Sequence, residues 1–507
     1  MLVAMRADAS PTIGSGHVMR CLTLAEGLKR RGIEVCFICR EGEGSLNSFV
    51  EAKGFALHGL PDNLEGQQQD ALLTRNIISG WDKKPDVLIV DHYKLDQQWE
   101  SQLRPLAGKI MVIDDTADRH HDCDILLDQN LVANMEARYK DLVPSSCTQL
   151  LGPKYALLRD EFKNLRNNPP PKSDGFQILV NFGGGGNVPA WEVSIEALRE
   201  VKNDLPEDTK IIAVFGNMEV QARDRLEKNL KQSGLNYEAH SFVSNLAELM
   251  AASHMAIGAG GSTTWERCCL GVPSVVLTIA DNQVELTEEC HKIGAIIYAG
   301  HIGQISEENV ATAIQECVQN KDAIAQKAKD IIDGQGAERV AQKVLEQAGK
   351  LRFVEESDSA SLLKWRNKDH VRLASLNQQP IPEEGHKKWF SGLPKGKATD
   401  DRAFFIFELA GQPVGTINFK RTGDKTWEWG FHIGEENAPR GAGHAMCKQG
   451  LEFAFDKLGA EKVNATVLNN NPKSTKLHHH MGFEELKKEG EQTYCSVTKE
   501  RFKDEQH

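Results

Sequence analysis

The sequence predicts an α/β protein: two Rossmann-like halves, each a doubly wound parallel sheet, followed by a smaller α+β domain. Three observations carry this. Short apolar runs alternate with helical patterns through residue 165 or so. A break reading Asn-Asn-Pro-Pro-Pro-Lys-Ser-Asp-Gly at 167–175 then introduces a second series of the same kind. Beyond a helical stretch at 337–349 the texture changes to paired strands. A chain of 507 residues exceeds what one core supports, and the boundaries expected are 1–165, 175–345 and 351–507.

In the first half, residues 2–5 read as a strand, 17–31 as a helix and 34–39 as the next strand. Runs 86–90 and 110–113 are further strands, ending in Asp91 and in Asp114-Asp115. Ligands of such sheets lie beyond the carboxyl ends of the strands, where Asp8, Asp91, His92, Asp114 and Asp115 fall. In the second half, 177–181, 210–215, 254–257 and 273–279 are strands. The first runs into glycines 183–186, the third into Gly258-Ala259-Gly260-Gly261-Ser262-Thr263-Thr264. The last third starts with a strand at 351–355 and short helices containing Trp365 and Trp389. A hairpin follows (403–408 and 413–420, turning at Ala410-Gly411-Gln412), then a strand at 426–433, a helix to about Leu458 and a strand at 462–468.

Composition limits function. Apolar residues make up 40% and charged residues 26%, with 43 glycines against 18 prolines, which excludes disordered, collagen-like and coiled-coil classes. Sixty basic and 72 acidic residues give a net charge of −12, unfavourable for nucleic acid or an anionic membrane, so small-molecule partners are expected. No run approaches the roughly 18–20 apolar residues of a membrane span, and the N-terminus lacks a signal-peptide pattern. The 11 cysteines have no repeating spacing, and Cys36 and Cys39 in one strand point to opposite faces. Reduced, structural thiols and a cytoplasmic location are expected.

The loop Gly14-Ser15-Gly16-His17 opens a helix. Glycines allow close approach to a ligand, and the helix start offers unpaired amides. A histidine there is held towards its neutral form by the helix dipole, as a general base for water requires, although it can equally cap or pack the helix. In the second half, Gly184 and Gly261 stand in strand-to-helix turns whose amides, with the Ser262 and Thr263 hydroxyls, suit a diphosphate. Glu266, one turn on, can accept both hydroxyls of a ribose. The run His120-His121-Asp122-Cys123-Asp124 contains metal-ligand residue types, but adjacent ligands have poor geometry and no metal is expected.

Taken in order, Arg6-Ala-Asp8, Gly14-Ser-Gly16-His17-Val-Met-Arg20, Asp91-His92-Tyr93, Asp114-Asp115, Tyr155-Ala-Leu-Leu-Arg159-Asp-Glu-Phe162 and Asp281-Asn282-Gln283 resemble the UDP-sugar hydrolases of pseudaminic acid biosynthesis, relatives of the glycosyltransferase-B enzymes. The resemblance covers about residues 1–345. It implies hydrolysis of UDP-2,4-diacetamido-2,4,6-trideoxy-β-L-altrose to UDP and the free sugar, with inversion and without metal. His17 would activate water with Asp8 as a catalytic companion. Gly14, Gly16, Arg20, Asp91, Tyr93, Gly184, Gly261, Ser262, Thr263, Glu266, Asn282 and Gln283 would hold the UDP-sugar.

The last domain carries a separate signature, Arg440-Gly441-Ala442-Gly443-His444-Ala445, followed by Asn471-Pro-Lys-Ser474 and Leu477-His478-His479-His480-Met-Gly482-Phe483. It resembles the GNAT acetyltransferases. Arg440, Gly441, Gly443, His444, Ala445 and Asn471 would bind acetyl-CoA as co-substrate. Where the family carries a tyrosine acid after the leucine, this chain departs with His478, and His478 and Tyr494 are the candidate catalytic groups. Glu384 and Glu428 are candidate polar partners of the acceptor. Trp365-Arg366-Asn367 and residues 386–390 resemble the acetyltransferase of the same pathway, which acetylates the 4-amino group of the UDP-sugar. The expectation is a bifunctional enzyme. The alternatives are a sugar transferase with an acceptor other than water beside an acetyltransferase for another amine, or one module that only binds.

Overall fold

The computed structural model describes residues 1–505. It divides into two compact units, one of Val3–Gly27 and Val35–Ala341, the other running from Gln342 onward with Met1–Leu2 and Leu28–Glu34 counted in it. The division falls inside helix Gly336–Ala348 rather than after it, because that helix contributes its last turns to the second unit's packing.

The larger unit holds two parallel sheets. The first contains β1 (Leu2–Ala7), β2 (Glu34–Arg40), β3 (Ala56–Leu60), β4 (Val87–Asp91), β5 (Lys109–Ile113), β6 (Ile125–Asp128) and β7 (Thr148–Leu151), in the order β3-β2-β1-β4-β5-β6-β7. The second contains β8 (Gln177–Asn181), β9 (Lys210–Val214), β10 (Tyr237–His240), β11 (Met255–Ala259), β12 (Ser274–Thr278) and β13 (Ile297–His301), in the order β10-β9-β8-β11-β12-β13. Both orders reverse beside the first strand, between β1 and β4 and between β8 and β11. These are the switch points at which such sheets bind ligands. The central strands are continuous apolar runs because helices cover both faces. Arg6 is the exception within β1.

The smaller unit is one mixed sheet: β14 (Gly349–Phe353), β15 (Arg402–Leu409), β16 (Gln412–Gly423), β17 (Thr426–Ile433), β18 (Lys462–Leu468), β19 (Glu484–Glu489) and β20 (Gln492–Thr498), ordered β14-β15-β16-β17-β18-β20-β19. The β15–β16 turn is tighter than the sequence suggested. Ala410 and Gly411 both take left-handed φ (57° and 68°), a two-residue connection that matches strand twist, and Gln412 already belongs to β16. All pairs are antiparallel except β17 with β18, which join only from Thr426 to Glu428 against Lys462 to Asn464. Beyond that point they part. Edge strand β19, Glu-Glu-Leu-Lys-Lys-Glu, is exposed throughout; its charges protect an open edge and hide it from an apolar-period reading.

Candidate active sites

At the switch point of the first sheet, β1 leads through a turn closed by the Gly14 amide donating to the Ser10 carbonyl (2.8 Å) into helix Gly16–Arg30. Gly14 has φ +80°, and a Cβ added to Gly14 or Gly16 would meet nothing within 4 Å, so the helix start is open above its amides. His17, the second helical residue, lies with Nδ1 2.5 Å from Asp91 Oδ1 at the end of β4. Asp91 accepts that proton and leaves Nε2, which no described residue bonds, as the nitrogen available to a reactant.

One turn along, Arg20 clamps the same carboxylate, with Nε and Nη2 each 2.6 Å from its two oxygens, and reaches Asp115 through Nη1 at 2.9 Å. Burial opposes ionisation of Asp91, but Arg20 and His17 outweigh it and hold the carboxyl well below its usual range. The exposed Tyr93 ring stands edge-on to His17 at 4.5 Å between centroids.

Asp8 does not join this group. Its carboxylate is 1% exposed, 2.8 Å from Arg6 Nη2, 2.8 Å from the Arg40 amide and 3.3 Å from His92 Nε2. Arg6 bonds Asp70 in turn, and Asp70 accepts from Trp99 Nε1 at 2.9 Å. With its lone pairs committed to a buried network, Asp8 holds the end of β1 in place, and the catalytic part expected for it is corrected. In the run at 120–124, His121 is bonded to Glu100 (2.7 Å) and Asp122 and Asp124 to Arg104, a structural arrangement.

In the second sheet, the open turn at Gly183, Gly184 and Gly185, where no Cβ would meet a neighbour, follows β8; Asn187 caps the next helix by accepting from the Ala190 amide. Gly261, with φ +132°, is the N-cap of helix Ser262–Leu270, placing Ser262 and Thr263 in its first turn. Beneath lies Arg267, unremarked in the sequence because it sits in an apolar stretch. Its Nη2 donates to Ala259 O (2.8 Å) and Thr264 Oγ1 (3.1 Å), bracing the loop, and burial lowers it to about 10. Glu266 is partly exposed and pushed up by burial, with Arg159 Nη2 3.4 Å away. Gln283 Oε1 accepts from the Ile279 amide (3.0 Å) and so fastens the turn after β12; Asn282 beside it is exposed.

In the smaller unit, the parting of β17 and β18 opens a cavity of about 1390 Å³. Gly441 (φ +99°) caps helix Ala442–Asp456; Gly443 and His444 line the cavity, Ala445 is buried beneath, and Arg440 is exposed. A Cβ on Gly443 would meet only Ile433, at 3.6 Å, so the first amides of this helix face open space. His444 Nδ1 lies 3.4 Å from Glu346. Asn471 lines the cavity while its Oδ1 caps helix Pro472–His480 through the Ser474 amide (3.1 Å).

His478 lies in the core. Nε2 accepts from Trp429 Nε1 (3.2 Å), Nδ1 is 2.8 Å from the Ser474 carbonyl, and burial lowers the ring to about 4. Both nitrogens are occupied, which corrects its reading as a proton donor. Tyr494 does not line the cavity; its hydroxyl donates to Gln492 Oε1 (3.0 Å). Glu428 lines the cavity and Glu384 does not.

Residues 350–484 match the acetyltransferase (GNAT) domain, and residues 185–347 match the glycosyltransferase family 28 C-terminal domain. The chain ends in a GNAT acetyltransferase domain. UDP-2,4-diacetamido-2,4,6-trideoxy-beta-L-altropyranose hydrolase of Campylobacter jejuni subsp. jejuni is 29% identical over 56% of this chain and 93% of its own length, and the front part is homologous to it. Uncharacterized protein MJ1062 of Methanocaldococcus jannaschii is 25% identical over 96% of this chain and 98% of its own length. Acinetobacter baumannii MurG, 14% identical, superposes with TM-score 0.50 over 68% of this chain and 99% of its own, a likeness of the glycosyltransferase-B-like fold.

Acetyl-CoA is the co-substrate of the GNAT domain, and the open glycine turn at its helix start fits a pyrophosphate. The protein is a nucleotide-sugar biosynthesis type of enzyme that joins a glycosyltransferase-B-like part to this domain. Among the described residues no cluster of three or more His, Cys, Asp or Glu is placed to hold a metal, all 11 cysteines are free thiols, and no helix is long and apolar enough to cross a membrane. The sequence missed the pairing of Asp91 with His17 and the brace at Arg267; each joins residues far apart in the chain or masked by apolar neighbours.

Proposed function

We propose that the chain is a bifunctional cytoplasmic enzyme of pseudaminic (nonulosonic) acid synthesis. The GNAT domain transfers acetyl to the 4-amino group of a UDP-amino sugar. The front part hydrolyses UDP-2,4-diacetamido-2,4,6-trideoxy-β-L-altrose to UDP and the free sugar. The observation that carries the hydrolytic half is the His17–Asp91 pair at a switch point, with Nε2 open.

In this reading Asp91 holds the imidazole by Nδ1, and Nε2 takes a proton from water as its oxygen attacks the anomeric carbon. The bond to the diphosphate breaks with inversion. Charge on the leaving diphosphate is met by the amides at Gly14–His17 and Gly261–Thr263 and by the Ser262 and Thr263 hydroxyls. Glu266 accepts the ribose hydroxyls, and Gly184, Tyr93, Asn282 and Gln283 border the nucleotide-sugar. Arg20 serves through Asp91, as a positioning residue. In the GNAT domain, Arg440, Gly441, Gly443, His444, Ala445 and Asn471 receive acetyl-CoA.

Incubating the full chain with the diacetamido UDP-sugar and no acceptor tests the front part. Release of UDP with free sugar, read by mass spectrometry, is expected. A strict need for a second sugar or lipid acceptor would replace hydrolysis with glycosyl transfer. Product mass from the UDP-4-amino sugar plus acetyl-CoA tests the other half.

A further inference from the structure

Side chains alternate along β17. Trp429 and Phe431 lie against His478, and Ile433 approaches Gly443, so this face looks onto the acetyl-CoA helix and the core. Glu428, Gly430 and His432 occupy the other face; residues of both faces line the one cavity, which Arg366, Trp389 and Asn418 also border. The other cavity-lining histidines are all engaged: His370 with the Ile433 carbonyl, His386 with Ser359, His444 with Gln342 and Glu346, His478 with Trp429 and Ser474, His480 with the Lys476 carbonyl. No described residue hydrogen-bonds the His432 ring, and its Nε2 is buried without a partner.

We propose that His432 is the general base of acetyl transfer, accepting the proton of the attacking amine from the acceptor side of the cavity. The inference rests on the acetyl-transfer reading above. The amine lone pair attacks the thioester carbonyl, a C–N bond forms and the C–S bond breaks. The proton shed by nitrogen passes to His432 Nδ1, the ring nitrogen that is not closed off, and from there to water, while the departing thiolate takes up a proton from water, so that amine and acetyl-CoA yield amide and free thiol.

The charged and titratable neighbours are Arg366 on helix Ser359–Asn367, His370 on the following short helix, Glu428 on β17, and Glu435 and Glu436 just past it. Glu435 is taken up by Trp365 and Lys368, and Glu436 stands beside His370. Burial, then Arg366 and His370, lower His432 to about 4, so the ring is neutral and ready to accept. An anionic acceptor such as a diphosphate-linked amino sugar offsets the Arg366 charge, raising the ring's proton affinity as the amine arrives.

The test follows thiol release by the full chain with acetyl-CoA and the UDP-4-amino sugar across pH, for wild type, His432→Gln and His432→Ala. Expected are a fall in kcat of about 10²–10⁴-fold, acetyl-CoA affinity within about twofold of wild type, loss of the acid limb of the kcat profile, and partial rescue of His432→Ala by added imidazole. A His432→Gln kcat within about threefold with its acid limb intact overturns the assignment. So does a loss that comes with lost acetyl-CoA binding and resists imidazole, which marks a packing role. If the wild type releases no thiol with any amino sugar, the parent reading falls and takes the base with it.

Discussion

Replacing His17 by alanine tests the front site most directly. The ring meets the protein through Nδ1, which bonds Asp91 at 2.5 Å with Arg20 Nη2 3.2 Å away, and Asp91 keeps both of its bonds from Arg20 at 2.6 Å when the ring is gone. The buried carboxylate is therefore not stranded. The stability cost is that of one hydrogen bond to a charged group, about 1.5–3 kcal/mol, which leaves a chain of this size folded. The kinetic cost is larger: removing a positioned general base costs about 10²–10⁴ in kcat, or about 2.7–5.4 kcal/mol of barrier at 1.36 kcal/mol per decade. UDP release without acceptor, followed by a coupled assay, should fall by that factor with KM little changed. Thiol release by the GNAT domain should stay at the wild-type rate. UDP release within about threefold of wild type would refute His17 as the base, however well the pair is placed.

Asp91→Asn is expected to act differently. It removes the charge that answers both His17 and Arg20, so a loss of UDP release like that of His17→Ala should come with about 3–5 kcal/mol of destabilisation; an unchanged Tm would show that the buried charge contributes nothing. At Gly443 the free space accepts a methyl group but not an indole. Gly443→Ala should bind acetyl-CoA nearly normally, Gly443→Trp should weaken it more than about 100-fold with UDP release intact, and equal effects of the two would remove this turn from the coenzyme site. Asp128, 0% exposed at the end of β6, is raised to about 7 by burial, with Asp115 adding to the effect. Well below 3.8, the ordinary value of the carboxyl, it is protonated folded and unfolded alike. As pH rises towards 7 only the unfolded chain gains by ionising, so the folded state loses stability over that window. Asp128→Asn should therefore raise Tm at pH 8 by the equivalent of about 1–2 kcal/mol and leave it unchanged at about pH 3; a gain confined to low pH would reverse the sign.

Much of this molecule is legible along the chain. The alternation of apolar runs with helices, the proline-rich break at 167–175 and the change of texture near 350 follow from local rules, because each element records the environment of its own side chains. The glycine turns are local too: Gly14, Gly261 and Gly441 adopt φ values that favour glycine wherever the rest of the chain lies. Edge strands such as β19 were not legible, since a strand exposed on both faces has no period to read.

What only the tertiary structure decided is which of these residues meet. Asp8 and Asp91 look alike in sequence, each closing a strand ahead of a loop. Parallel pairing puts Ala7 opposite Asp91, so Asp8, one residue later, falls on the other face, with Arg6 and Asp70. Asp91 is left to meet a histidine 74 positions away. The same alternation sets Phe431 against His478 and its neighbour His432 on the opposite face of β17, while His478, the residue the motif points to, is consumed by Trp429 and Ser474. Local chemistry determined the elements and their loops; strand order and pleat, which depend on contacts between distant segments, decided which titratable groups were left free to react.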